Sequence, residues 1–239
     1  MPIHLKVREG DVAERVIAVG DPERARQVSS LLTDARPVNE NRGFLTYTGY
    51  FNGVKVTVAT HGVGAPSAAI VFEELIQAGA RVIVRLGTAG ALRPEVQLGT
   101  LIVPNGAGYN IGGIYSQYLG LNIAYPAVPS PRVYEALISE LKASGLHFRV
   151  GPIYSSDAFY AEEDLPRLMG SRGILGVEME CAILFILGML RGVETGAVLM
   201  VSNNLAEGRY GRYLTSEDLR DVTLKAALAT LRALSKLAI

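Results

Sequence analysis

The stretch from residue 54 to residue 91 constrains the fold of this chain more than any other. It starts with a run rich in β-branched residues, Val54–Thr60, continues as a helical pattern, Pro66–Ala78, and ends in a second β-branched run, Val82–Val84. A helix that connects two strands of one sheet returns the chain to the same edge, so the two strands run parallel. The stretch therefore predicts two parallel strands covered by a helix, which is the repeating unit of α/β proteins.

The same alternation of strands and helices continues along the chain. Further strands are predicted over Arg15–Val19, Leu98–Val103, His147–Tyr154 and Val193–Val201, and further helices start at Pro22, at Ser130 and after a capping box at Thr215–Asp218. The dipeptide Asn52-Gly53 predicts a tight hairpin between Phe44–Gly49 and Val54–Thr60. Because no repeat or linker interrupts the pattern, we expect one α/β domain over residues 1–239.

Charge and composition exclude several classes of protein. Lys plus Arg and Asp plus Glu both number 23, so the chain lacks the basic field of a protein that binds nucleic acid or an acidic membrane. The single cysteine, Cys181, excludes an internal disulfide, and Met1–Asp11 lacks the apolar core of a secretory signal. We therefore expect a cytoplasmic protein. Apolar residues make up 49% of the chain, which suggests surface buried against other subunits.

Two arginines near the carboxyl ends of predicted strands point to an anion. Arg85 ends a buried strand, and Gly87-Thr88-Ala89-Gly90 follows it, which we interpret as a sharp turn that exposes N–H groups. Arg24 lies in the first turn of a helix that Asp21 can cap and Pro22 can start, where a cation opposes the helix dipole. A bound anion would explain both arginines. The alternative for Arg85 is a structural ion pair with a carboxylate.

Aromatic and acidic residues follow two further strands. Phe159 and Tyr160 suit either core packing or stacking against a flat ligand. Glu178 and Glu180 either stabilise a helix N-terminus or accept hydrogen bonds from sugar hydroxyls. These groups, the two arginines and the amides after Ser202 together match a phosphate, a ribose and a heterocyclic base.

Two other segments are less specific. His61–Ser67 imitates a dinucleotide fingerprint, but Ser67 replaces its third glycine and no acidic residue follows at the distance that holds a ribose. We interpret it as a tight strand-to-helix turn beside a ligand rather than as an NAD site. The segment Pro104–Gln117, rich in Gly, Asn and Tyr, predicts either a flexible loop over a site or irregular surface.

Six motifs, in order along the chain, resemble those of the hexameric family of nucleoside phosphorylases, which contains purine nucleoside, uridine and 5′-methylthioadenosine phosphorylases. They are Gly20–Arg24, Asn41–Gly43, Arg85–Gly90, Ser156–Tyr160, Val177–Glu180 and Val201–Asn203. The resemblance covers nearly the whole chain. It implies a three-layer domain whose central mixed, partly barrel-like sheet is flanked by helices.

The resemblance also implies a role for each motif. The phosphate-binding residues would be Gly20, Arg24, Arg42, Arg85 and Thr88, and the nucleoside-binding residues His4, Phe159, Glu178, Met179, Glu180, Ser202 and Asn203. Arg42 and His4 would come from a neighbouring subunit, with His4 at the ribose 5′ end, in a homohexamer built as a trimer of dimers. Arg24, Arg85 and Asn203 would act in catalysis. No cofactor or metal is expected, since inorganic phosphate is a co-substrate and one cysteine and three scattered histidines suggest no metal site.

Asn203 departs from the family pattern, because many members have an aspartate there that protonates the leaving purine. An amide can donate a hydrogen bond but cannot give up a proton at neutral pH. This favours a 6-oxopurine, whose ring anion leaves more easily, and the expected reaction is therefore phosphorolysis of inosine or guanosine. Arg209 and Arg212 are candidates for the arginine that assists the aspartate in other members.

Several alternatives remain open. Uridine is the second choice of substrate, since Ala161–Leu165 is acidic and lacks the Gln and Arg typical of uridine phosphorylases. Methylthioadenosine is a third, because the sequence does not define the pocket at the 5′ end. A hydrolase of the same fold would not need three arginines, and a silent nucleoside-binding protein would release no base.

Overall fold

The computed structural model describes residues 2–161, 164–207 and 212–239. Its strands are β1 (Arg15–Val19), β2 (Thr33–Asn39), β3 (Thr46–Phe51), β4 (Val54–Thr60), β5 (Val82–Ala91), β6 (Leu101–Tyr109), β7 (Phe148–Ser155), β8 (Gly176–Glu178) and β9 (Glu194–Asn204). Its helices are α1 (Pro22–Ser29), α2 (Ala65–Gln77), α3 (Gly113–Leu119), α4 (Pro131–Ala143), α5 (Leu165–Leu168), α6 (Cys181–Arg191) and α7 (Arg220–Lys236).

All nine strands join in one mixed sheet, part of which closes on itself. The strand order is β2-β3-β4-β1-β5-β8-β7-β6-β9, and β9 also pairs with β5 in parallel over Val82–Ala91. The strands β5, β8, β7, β6 and β9 therefore form a five-stranded barrel, and the other four extend it as an open sheet. This confirms the mixed, partly barrel-like sheet.

Helices bury both faces of the sheet. Along β1, Val16 and Ala18 belong to a core cluster with α2 and α6, whereas Ile17 and Val19 belong to a second cluster with α1, α4 and α7. Successive side chains of a strand point to opposite faces, so this alternation places one helical layer on each side. Even α6, which is almost entirely buried, has only 11 residues, and no helix in the described ranges could cross a membrane.

The predicted crossover and hairpin are both present. The strands β4 and β5 run parallel, with β1 inserted between them, and α2 connects them. Asn52 and Gly53 have φ angles of 49° and 77°, as the two central residues of a type I′ turn require. The hairpin of β3 and β4 is therefore as predicted.

Three predictions about local structure were wrong. Gly87–Gly90 does not break the strand after Arg85, since β5 continues to Ala91 and pairs with β9 to its end, with one register shift after Ala89. Pro104–Gln117 is not a loop, because β6 continues to Tyr109 and pairs with β7 on both sides of a register shift between Pro104 and Ala107, and α3 follows. Ser202–Asn204 lies within β9 rather than after it. In each case, pairing across the barrel outweighs the low strand propensity of Gly, Asn and Pro.

Candidate active site

The carboxyl ends of β1 and β5 open into a cavity of about 450 Å³ that β8 and β9 also border. Ten residues named from the sequence line it: Gly20, Arg24, Arg85, Thr88, Phe159, Glu178, Met179, Glu180, Ser202 and Asn203. They come from five separate motifs, and the fold brings them to one place. This is the end of the sheet at which parallel α/β proteins bind ligands.

Arg24 is a buried cation in the first turn of α1. Asp21 caps α1 by accepting a hydrogen bond from the Glu23 N–H at 2.9 Å, and Pro22 occupies the first turn, as the sequence indicates. This start of the helix directs Arg24 into the cavity, where the residue is only 6% exposed. It makes no hydrogen bond or ion pair with any residue the structure describes. Burial lowers the pKa of Arg24, the charge of Asp21 partly opposes this, and the positive charge of Arg85 lowers the pKa further.

Arg85 is paired with two buried carboxylates. Its Nη2 donates to Glu180 Oε2 and lies 3.2 Å from Glu178 Oε2, and all three side chains are at most 5% exposed. Burial alone would lower the pKa of Arg85, but the charges of Glu180 and Glu178 raise it above its usual range. The ion pair named from the sequence as the alternative for Arg85 is therefore present, and it lies inside the cavity.

Gly87 makes room for this arginine. A Cβ atom at Gly87 would lie 1.4 Å from Arg85 Nη1 and 2.4 Å from Arg85 Cζ, so any side chain there would displace the guanidinium. Arg85 Nη1 and Nε are buried and have no partner among the described residues. Gly87 thus serves the placement of a side chain rather than a turn of the backbone.

Glu178 holds the start of α6. Its carboxylate accepts hydrogen bonds from the N–H groups of Glu180 and Cys181, both at 2.9 Å, and from the Ser155 hydroxyl. Burial raises the pKa of Glu178, against the attraction of Arg85. The predicted stabilisation of a helix N-terminus is therefore observed for this residue.

Glu180 is held by the start of α2 as well as by Arg85. Its Oε1 accepts a hydrogen bond from the Gly64 N–H at 2.7 Å. Burial opposes its ionisation, but the charge of Arg85 and this hydrogen bond lower the pKa of Glu180. The segment that imitated a dinucleotide fingerprint is thus a strand-to-helix turn that binds a carboxylate of the site.

His61 is a fully buried histidine behind the cavity, and it was not singled out from the sequence. Neither ring nitrogen has a partner among the described residues, and the ring packs 5.3 Å from that of Phe72. Burial, with the charge of Arg85, lowers the pKa of His61 from 6.5 to about 3. The imidazole is therefore neutral at physiological pH.

A β-bulge turns two neighbouring side chains toward the cavity. In the pairing of β5 with β9, Ala89 lies opposite Val201 but Gly90 lies opposite Asn203, which leaves Ser202 as an extra residue. Successive side chains of a regular strand point to opposite faces, whereas a bulge re-aims one of them. Ser202 and Asn203 can therefore both line the cavity, with the Ser202 hydroxyl 3.3 Å from Asn203 Oδ1.

The remaining wall of the cavity is partly exposed, and it includes Tyr213 and Ser216, which were not predicted from the sequence as site residues. The predicted Phe159 is 50% exposed, and Tyr213 is 54% exposed. The Leu214 N–H donates to the Ser202 carbonyl at 2.7 Å, which brings Tyr213 and Ser216 to the rim. Tyr213 follows no predicted strand, so no sequence signal marked it, whereas Ser216 lies in the capping box predicted over Thr215–Asp218, which marked a helix start and not a site.

Two predicted site residues lie outside this cavity. Arg42 is exposed and has no partner among the described residues, and its φ of 57° places it in the left-handed region. His4 is bound to Glu74, and the Asn41 side chain donates to the His4 carbonyl at 2.7 Å. His4 and Arg42 therefore share one surface, connected by Asn41. Arg212 does not line the cavity, and Arg209 lies outside the described residues.

The chain is similar in sequence and in structure to several known proteins. A sequence model described as "Phosphorylase superfamily" matches residues 14–238. The chain is 34% identical to a guanosine phosphorylase of Halorubrum lacusprofundi, with 98% of each chain covered. It is 34% identical to a uridine phosphorylase of Thermococcus kodakarensis, over 89% of this chain and 80% of that one. The crystal structure of a uridine phosphorylase from Vibrio fischeri superposes with a TM-score of 0.87 and 31% identity, over 99% of this chain and 98% of that one.

Proposed function

From the premise that this chain belongs to the phosphorylase superfamily and is a pentosyltransferase of the nucleoside phosphorylase type, we propose that its substrates are inorganic phosphate and a 6-oxopurine ribonucleoside. A phosphate oxygen attacks C1′ of the ribose, and the N-glycosidic bond breaks with its electron pair moving to the base. The products are ribose 1-phosphate and the free base, which is hypoxanthine when the nucleoside is inosine and guanine when it is guanosine. The reaction is reversible.

One observation carries the proposal, namely that Arg24 is buried, has no hydrogen-bond or ion-pair partner in the described part of the chain, and faces the same cavity as Arg85. A buried cation is costly unless an anion meets it. Phosphate, bound by guanidinium groups in charge-assisted hydrogen bonds, supplies that anion next to Gly20 and Thr88. A hydrolase of this fold would have no use for such a pair of arginines. The clamp holds the nucleophile in line with C1′, which lowers the entropic part of the barrier.

The carboxylates would stabilise the sugar as the bond breaks. Glu180, ionised and turned toward the cavity, accepts hydrogen bonds from the 2′ and 3′ hydroxyls, beside Met179. The ribose gains positive charge in the transition state, so the phosphate dianion and Glu180 both stabilise it. Glu178 already accepts hydrogen bonds from three protein groups and forms an ion pair with Arg85. Its part is therefore to fix Glu180 and α6 in place.

The base would lie between Phe159 and the bulge of β9. Asn203 can donate a hydrogen bond to N7 or O6 of a 6-oxopurine, and Ser202 supports its amide. The relative named guanosine phosphorylase supports this choice. Uridine is the second candidate, because a relative named uridine phosphorylase is also 34% identical to this chain and a solved uridine phosphorylase superposes with a TM-score of 0.87. The acidic segment Ala161–Leu165, which lacks the Gln and Arg typical of uridine phosphorylases, includes residues 162 and 163, which lie outside the described residues.

We place His4 and Arg42 in the site of a neighbouring copy. Both lie away from their own cavity and are connected through Asn41, so one subunit contact could deliver both. Arg42 would add a third guanidinium to the phosphate, and His4 would meet the 5′ end of the ribose. A homohexamer built as a trimer of dimers is part of this proposal, and so is the cytoplasmic location that the single cysteine favours.

The test is a panel of initial rates with inosine, guanosine, adenosine, methylthioadenosine and uridine, each with and without phosphate. We expect base release that requires phosphate and is fastest with inosine or guanosine. Release without phosphate would indicate a hydrolase, and binding without release would indicate a silent nucleoside-binding protein. A clear preference for adenosine or uridine would contradict the base assignment. Asn203→Asp should raise the rate on adenosine relative to inosine.

A further inference from the structure

Both carboxylate oxygens of Glu74 accept hydrogen bonds from the N-terminal segment. Its carboxylate accepts hydrogen bonds from the backbone N–H groups of Ile3 at 3.0 Å, His4 at 3.0 Å and Leu5 at 2.6 Å. It also lies 2.7 Å from His4 Nδ1. Glu74 is 6% exposed, and these donors lower its pKa against the effect of burial. One buried carboxylate therefore fixes both the backbone and the ring of a residue about 70 positions away.

The position of Glu74 gives α2 no benefit of its own. It lies in the last turn of α2 (Ala65–Gln77), where the helix dipole disfavours a negative charge. Its neighbours Phe72 and Leu75 are fully buried, so a charged side chain at this position is costly unless donors pair with it. What the carboxylate provides is the ordered N-terminal segment, and above all the orientation of His4.

This contact also fixes which nitrogen of His4 carries the hydrogen. An ionised carboxylate only accepts hydrogen bonds, so Nδ1 is the protonated nitrogen that faces Glu74. In the neutral imidazole, Nε2 is then an acceptor on the opposite edge of the ring. Nε2 has no partner among the described residues, and the His4 side chain is 28% exposed. The ring therefore presents an acceptor outward.

We propose that Glu74 is a positioning residue that makes His4 Nε2 the acceptor for the 5′-hydroxyl of a nucleoside in the neighbouring subunit's site. The inference rests on the proposed function, which puts His4 at the 5′ end. An acceptor held in this way selects for nucleosides with a 5′-hydroxyl. A 5′-thioether or 5′-deoxy sugar has no hydrogen to donate, and it leaves Nε2 unpaired when the site closes.

The experiment compares kcat/KM for a nucleoside and its 5′-deoxy analogue, inosine with 5′-deoxyinosine, or uridine with 5′-deoxyuridine if the panel selects uridine. For the wild type we expect the hydroxyl to be preferred about 10- to 100-fold. His4→Ala should reduce this ratio to near one. Glu74→Gln should reduce it several-fold, through the KM of the 5′-hydroxy substrate. Glu73→Gln is the matched control, because Glu73 binds Arg191 on the surface, and it should leave the ratio unchanged.

The double variant tests whether Glu74 acts through His4. If it does, Glu74→Gln adds nothing to the ratio once His4→Ala is present. The proposal is overturned if Glu74→Gln slows both substrates by the same factor, which is the result of a purely structural role, or if the wild type does not prefer the hydroxyl. Thermal unfolding of each variant identifies a loss of fold. If Glu74→Gln does not fold, Glu74→Asp, whose shorter carboxylate no longer reaches His4 Nδ1, takes its place, and an unchanged ratio in that variant would overturn the proposal. Absence of phosphate-dependent base release from either substrate would overturn the proposed function itself, and this proposal with it.

Discussion

Replacing Arg85 by methionine should destabilise the protein far more than replacing a surface arginine. In the folded state, Arg85 is the cation that faces Glu178 and Glu180, whose side chains are 1% and 5% exposed. Removing one partner of a buried ion pair leaves an uncompensated charge and costs about 3–5 kcal/mol. Arg85→Met should therefore lower the free energy of unfolding by about that amount at pH 7, as urea titration followed by circular dichroism would measure.

Arg167→Met is the matched control. Arg167 lies 3.3 Å from Asp164, but the two side chains are 73% and 72% exposed, and such pairs contribute about 0–1 kcal/mol. The deficit of Arg85→Met should also shrink as the pH falls. Without the arginine, the folded-state pKa of the carboxylates lies above the unfolded value, so the folded state takes up the proton first and gains stability on acidification. Equal costs for the two variants, or a deficit that does not change with pH, would show that Arg85 does not compensate these carboxylates.

Three further predictions concern the site and its support. Gly87→Ala should raise the KM for phosphate at least about tenfold by displacing Arg85, whereas Gly106→Ala, whose Cβ would meet nothing closer than 3.7 Å, should leave the rates unchanged; equal kinetics would contradict the stated reason for Gly87. Arg42→Ala should raise the KM for phosphate about tenfold without lowering the unfolding temperature, and an unchanged KM would remove Arg42 from the site. His61 should make the protein less stable as the pH falls, because below pH 6.5 the unfolded state binds a proton at His61 that the folded state does not bind until about pH 3. The free energy of unfolding should therefore fall by about 2 kcal/mol between pH 7 and pH 5. Urea titrations across this range should show that a His61→Gln variant lacks the loss.

Local sequence patterns predicted the elements whose structure depends on near neighbours. The crossover from β4 through α2 to β5, the Asn52-Gly53 hairpin and the start of α1 at Pro22 all follow from periodicity, turn chemistry and capping within a few residues. The closure of the barrel does not, because the pairing of β5 with β9 joins residues more than 100 positions apart. The resemblance supplied the partly barrel-like sheet, and periodicity alone did not.

Three features of the site, at Gly87, Ser202 and Tyr213, could not be predicted from local sequence patterns. Gly87 was taken as a turn, since glycine after a strand usually allows one, but its role is to leave space for the Arg85 guanidinium. Ser202 was placed after a strand, but a bulge keeps it in the sheet and turns it to the cavity. The hydrogen bond of the Leu214 N–H to the Ser202 carbonyl brings Tyr213 to the rim, and no local pattern encodes this contact.

The ion pair between Arg85 and Glu180 makes the affinities of the two substrates interdependent. In this structure Arg85 and Glu180 form an ion pair, although the proposed function assigns the arginine to phosphate and the carboxylate to ribose. Whichever ligand arrives first must compete with that pair, and the second meets a residue already released. Phosphate should therefore tighten nucleoside binding, and nucleoside should tighten phosphate binding by the same factor, because thermodynamic linkage is reciprocal. With this coupling, both substrates should be bound before the N-glycosidic bond is cleaved.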